Sequence, residues 1–205
     1  MSLQERIIDG TLRAVSPLKP AGIALGAVFY AVFIGVVYYL LVGTVDLVAG
    51  LMSGLCGIAY AVFRAYFTHR QFKAGIAAHL AYLRTRHPQL ELYVPMIEKL
   101  GRTTLLKRSA LFIEDGALAL EAFNQPGFAK TPKDSITVPA GVDFRIFEVL
   151  PEPKTALVGF RSELMRNPYR FHIVNDDETV ARIMAFAEPP APAAEPTSAP
   201  AERNE

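Results

Sequence analysis

The sequence predicts an α+β protein: a two-helix transmembrane hairpin, then a small antiparallel β-rich cytoplasmic domain capped by a C-terminal helix. Three observations predict it. Two long uncharged runs stand close together near the start of the chain. After residue 103 the apolar period changes from helical to alternating. The last patterned stretch, residues 176–187, returns to helical spacing.

The 205 residues are 51% hydrophobic and 20% charged, with 21 basic against 20 acidic side chains. That balance excludes a wholly disordered chain and a bulk basic nucleic-acid binder. One cysteine excludes an intrachain disulfide and any multi-cysteine zinc or iron–sulfur site.

Residues 1–20 read as a cytoplasmic N-terminal segment. The hairpin follows, within 21–67. Residues 23–42 are twenty positions without a charge, about 30 Å of helix, which is one hydrocarbon thickness. Residues 47–63 add seventeen more. Gly43 to Asp46 between them suit a tight turn. Twenty residues with Glu5 and Asp9 precede the hairpin segment, so its first run reads as a retained anchor and not a cleaved leader. Arg6, Arg13 and Lys19 lie before the hairpin, and Arg64, Arg70, Lys73, Arg84 and Arg86 after it, while the turn has no Lys or Arg. The positive-inside bias places both termini in the cytoplasm.

Small residues recur every four positions: Gly22 and Gly26, then Ala27, Ala31 and Gly35 in the first run. The second run carries two such stripes, Gly50 with Gly54, and Ala49, Ser53, Gly57 and Ala61. Such stripes let helix backbones approach closely. One stripe serves the hairpin itself; a second is a candidate for a homo-oligomer. No charge lies inside either run, which argues against an ion pathway.

Residues 68–102 read as a basic juxtamembrane helical connector. From 64 to 108 there are nine Lys/Arg against Glu91 and Glu98; from 109 onward the balance reverses to nine against fifteen. Arg64, Arg70 and Lys73 are therefore candidates for anionic lipid headgroups. Phe72, Ile76, Leu80 and Leu83 share one helical face. Pro88 stops this helix, and 90–100 reads as a short amphipathic stretch broken by Pro95.

Residues 103–188 read as five or six short strands and a helix. Glu114-Asp115-Gly116 between apolar runs is a hairpin signal. Strands follow at 136–138, 142–149, 155–161 and 169–174. Asn175 caps the final helix, with Glu178 completing a capping box and Val180, Ile183, Met184 and Ala187 on its inner face. Residues 189–205 form a Pro/Ala tail without the apolar content to fold.

The hairpin SALFIEDGALALEAF, the strand DSITVPAGVDFRIFEV and the ending DDETVARIMAFA, placed after a membrane hairpin and a basic connector, resemble the bacterial YcxB-like layout. That resemblance rests on element order and turn placement. It implies a pleckstrin-homology-like (PH-like) domain on a membrane anchor, with a non-catalytic role.

The chain has no P-loop, H-E-x-x-H, C-x-x-C or G-x-S-x-G pattern. No catalytic, metal or cofactor residue is assigned. Arg161, Arg166 and Arg170, grouped about one turn near Lys154, are candidates for an anion or headgroup site. The expectation is a non-catalytic integral protein of a bacterial cytoplasmic membrane. Its β domain would bind an unidentified membrane or cytoplasmic protein, as an accessory or regulatory subunit. The alternative is a lipid-headgroup-responsive regulator; an enzyme without a recognisable motif ranks below both.

Overall fold

The structure, a computed structural model, describes residues 1–16, 20–44, 47–100, 103–125, 127, 130–162 and 167–187. Four helices and seven strands are described: α1 (Leu3–Val15), α2 (Pro20–Val42), α3 (Leu47–Arg86), β1 (Leu90–Leu100), β2 (Thr103–Glu114), β3 (Ala117–Asn124), β4 (Asp134–Pro139), β5 (Arg145–Pro151), β6 (Thr155–Arg161), β7 (Tyr169–Val174) and α4 (Asp177–Met184). The expected Pro/Ala tail lies outside the described residues, as do Lys19 and Asp46.

α2 and α3 are the two helices long and apolar enough to cross a membrane by length and composition. α2 shows apolar side chains on nearly all sides, with Leu25, Phe29, Leu40 and Leu41 exposed. α3 is one continuous helix of 40 residues. Its first half pairs with α2, and its second half lies on the sheet. The face read from Phe72, Ile76, Leu80 and Leu83 is the docking face: Ile76 and Leu83 are fully buried, and Phe72 and Leu80 pack against the same cluster.

The seven strands form one antiparallel sheet in the order β4-β3-β2-β1-β7-β6-β5. Asp115 and Gly116, at φ +49° and +70°, make the expected β2–β3 turn. The inner face folds over on itself. Leu92, Val94, Leu111 and Leu118 from one half meet Ile146, Val158, Phe171 and Ile173 from the other, and Val180 and Ile183 of α4 join them. A second cluster forms on the outer face, where Tyr93, Ile97, Phe112 and Phe123 meet Leu12 and Val15 of α1 and Ile76 and Leu83 of α3.

Several expectations are corrected. Residues 90–100 are a strand in the middle of the sheet, not the end of a helical connector, so the sheet begins before residue 103. β1 feeds both clusters, with Leu92, Val94 and Met96 inward and Tyr93 and Ile97 outward. Six consecutive buried positions leave no alternation to read. Pro95 is tolerated because the register shifts between Pro95 and Ile97. The strand count is therefore seven. The strand expected from 142 starts at Arg145, and Val142 is exposed in the preceding turn.

The N-terminal segment also carries an element that the sequence reading did not assign. Ser2 and Glu5 make a reciprocal capping box at the start of α1. β1 and β7 share a single register pair, Ile97 with His172. α1 occupies the opening where these strands diverge. The Gln4 amide bonds both the nitrogen and the carbonyl of Tyr93, at 3.0 and 2.9 Å. Ile7 enters the inner cluster, fully buried.

The cap of α4 is Asp176, which accepts from the Thr179 nitrogen at 3.1 Å; Asn175 instead donates to the Glu152 carbonyl. Glu178 turns to Arg6 and Arg182 and makes no capping box. Val180 and Ile183 face inward as expected, but Met184 is half exposed.

Candidate membrane-facing site

The α2–α3 seam is built from one of the two stripes in α3. Ser53, Gly57, Ala61 and Ala65 are buried, and Gly57 sits directly on the backbone of Ala27 and Ala31. Gly26 faces Ala61, and Gly35 faces Ser53. Gly50 and Gly54 point into open space, with nothing within 4 Å of a Cβ at either position. The structure thus assigns the Ser53–Gly57–Ala61 stripe to the hairpin and leaves the Gly50–Gly54 stripe uncovered.

Toward Pro20 the two helices part. Gly22, Ile23, Gly26, Tyr30, Ala61, Arg64, Ala65 and Thr68 line a crevice of about 310 Å³. Its floor is Gly and Ala; its polar groups are the Arg64 guanidinium and the Tyr30 and Thr68 hydroxyls. Arg64 donates to the Tyr30 hydroxyl and lies 5.8 Å from the centre of that ring. Among the described residues no carboxylate pairs with Arg64. Two sequence signals considered separately, the Gly22/Gly26 pair and the first basic residue after the hairpin, therefore share one cavity.

A polar seam fixes the rest of α3 to the sheet. His79, 1% exposed, has Nε2 2.7 Å from Gln125 Oε1 and stacks on Phe123. Burial, reinforced by the charge of Arg108 and opposed by the Gln125 bond, pushes the His79 pKa down to about 4. The ring is therefore neutral at physiological pH. Two turns further along, Arg86 reaches Glu121, which is fully buried and also accepts from Ser135 and Thr137.

At the other flank α1 is tied by charge. Arg6 bonds Asp176 at 3.1 Å and Glu178 at 2.9 Å. Burial alone would raise the Asp176 carboxyl, but the bonds from Arg6 and Thr179 outweigh it and hold it below the usual range. Lys99 donates to Glu152, and that bond holds the Glu152 carboxyl down.

The predicted lipid residues separate into two groups. Arg64, Arg70 and Lys73 are exposed along α3. The group expected around one turn does not include Lys154. Lys154 precedes β6 and Arg161 ends it, about 20 Å apart along an extended strand. Arg161 lies 5.8 Å from the centre of the Phe147 ring, and Arg170 is paired with Glu148 at 3.1 Å. Arg166 lies outside the described residues. In α1, Gln4, unassigned by sequence, braces Tyr93, and Arg6, by sequence only a flanking charge, braces the start of α4. The signal that would have found them is the capping box at Ser2 and Glu5.

No family model matches the chain, and no curated protein matches it. Among solved structures, autoinhibited Vav1 is similar over 90% of this chain at 11% identity, with a TM-score of 0.27. The chain spans about a third of the length of that protein, at 35% of it. Likeness at that level assigns neither family nor function.

Proposed function

We propose that this chain is a non-catalytic, membrane-anchored binding module. α2 and the first half of α3 cross the cytoplasmic membrane of a bacterium, both termini stay in the cytoplasm, and the sheet is a PH-like scaffold that engages a protein partner. The chain then acts as an accessory or regulatory subunit of a larger assembly.

The observation that carries this reading is the continuity of α3. One helix leaves the apolar hairpin and, without a break, buries Ile76, His79 and Leu83 in the sheet. A tethered catalytic domain needs no such coupling; a module that must hold its face at a fixed height and angle does. α1 adds a second brace, since only four residues separate Val15 from Pro20. The antiparallel sheet followed by α4 is compatible with the PH-like layout that the element order resembles.

Native mass spectrometry of the protein gently extracted from its own membrane tests the reading. A stable stoichiometric complex with another protein is expected. A bare chain or homo-oligomer would instead favour the lipid-responsive alternative. Reporters inserted at Asp46 and after Glu205 test the topology, with opposite sides expected; the same side for both would overturn the hairpin.

A further inference from the structure

We infer that the crevice between α2 and α3 is a binding site for one anionic phospholipid, with its phosphate on Arg64 and Thr68 and acyl-chain carbons on the Gly22–Gly26–Ala61–Ala65 floor. The inference rests on the membrane reading above and adds a ligand, a stoichiometry and a site to it.

Three observations point to an amphipathic anion. The cavity is two-sided in chemistry: its lining is small and apolar on the floor and carries a guanidinium and two hydroxyls. Second, Arg64 has a phenol but no carboxylate as partner among the described residues. A guanidinium engaged on one edge keeps other N–H donors for a phosphate, which it matches in two-pronged geometry. Third, the height is right. Arg64 lies about 26 Å along α3 from Leu47, close to one hydrocarbon thickness of about 30 Å, so it sits where phosphates lie.

The seam explains why the crevice stays open. Gly57 locks the helices backbone to backbone. α3 is held on the sheet side through Ile76 and His79, and only four residues separate α2 from α1, which packs on the same cluster. The helices cannot close on the gap without giving up one of these contacts. A lipid chain fills it without moving either helix.

The test uses the full chain in nanodiscs of phosphatidylglycerol and phosphatidylcholine in equal parts, released into detergent for native mass spectrometry. One phosphatidylglycerol should remain on the wild-type protein after the other lipids are stripped. Arg64→Gln should lower that retention about ten-fold, the loss of roughly one charge-assisted contact. Arg64→Lys, which keeps the charge but not the two-pronged geometry, should retain more than Arg64→Gln and less than wild type, and that intermediate retention separates loss of the site from loss of the fold. Gly22→Leu, which fills the mouth, should lower retention as Arg64→Gln does, whereas Arg70→Gln should not. Equal retention of both lipids, or wild-type retention in Arg64→Gln, overturns the site. Displacement by excess inorganic phosphate also overturns it, since a free anion would then suffice. Loss of the wild-type chain from membranes in an alkaline carbonate wash overturns the membrane reading itself, a result read before any lipid is counted.

Discussion

Gly57 of α3 lies so close to Ala31 of α2 that a methyl group on it would stand 2.6 Å from the Ala31 nitrogen and 2.7 Å from the Ala27 carbonyl oxygen. Both neighbours are backbone, so neither can swing aside. Gly57→Ala should push the helices apart and cost about 1–3 kcal/mol, the range for overpacking a tight contact. Gly50→Ala and Gly54→Ala, with open space around them, should leave hairpin stability almost unchanged. Unfolding of the full chain by sodium dodecyl sulfate in mixed micelles reads the three values. A Gly57→Ala protein as stable as wild type would remove this contact as the centre of the seam.

Gln4 and Tyr93 supply a second test. The Gln4 amide closes both backbone groups of Tyr93 on the edge of β1 away from β2, where β7 has diverged. Gln4→Ala leaves a buried N–H and C=O to be satisfied otherwise and should cost about 1–2 kcal/mol. Gln4→Glu keeps the acceptor and loses the donor, and should fall between. Amide exchange at Tyr93 and along α1 should speed up in that order. Unchanged protection at Tyr93 would mean that Ile7 alone holds α1 in place.

The His79 ring predicts a pH dependence with a defined sign. Its native pKa is near 4, against 6.5 for an exposed histidine. Between those values the unfolded chain takes up a proton that the native chain refuses, so stability falls as pH drops from 6.5 to 4. The full effect of the shift is about 3 kcal/mol. His172, also lowered by burial and the Lys99 charge, acts in the same direction. The difference between wild type and His79→Phe therefore isolates one residue. Chemical denaturation at pH 7 and pH 4.5 should show the wild-type protein losing more stability than the variant. Parallel losses would exclude His79 as a source.

Arg86 and Glu121 should behave as a coupled pair. Glu121 has no solvent exposure and gathers Arg86, Ser135 and Thr137. Arg86→Ala strips the cation from a buried carboxylate, and Glu121→Ala strips the acceptor from three donors. Each should cost at least about 1 kcal/mol, with the first nearer 3, since it leaves a buried carboxylate without its cation while Arg86 is 42% exposed. The double variant should cost less than the sum by about 1 kcal/mol. Strict additivity would show that the 3.5 Å approach of Arg86 contributes nothing to the seam.

What the sequence by itself determined is local or periodic. Two uncharged runs of membrane length needed only hydropathy. β6 and β7 appeared at their true limits because turn residues bound them on both sides, and Asp115-Gly116 named the β2–β3 turn. The docking face of α3 was legible from Phe72, Ile76, Leu80 and Leu83, since one helix covered on one side keeps a clear period. Tertiary structure alone decided the rest. β1 lost its alternation because its two faces serve two different cores. α1 carries a capping box and an apolar face with Ile7, Leu12 and Val15, but its docking place is the opening between β1 and β7, which only the paired sheet creates. Which small-residue stripe of α3 meets α2 depends on the rotation of that helix, and the long docked segment beyond Thr68 fixes that rotation. The crevice at Arg64 follows from the same constraint: two helices held together at Gly57, with α3 docked on the sheet and α2 tied to α1, leave a gap between.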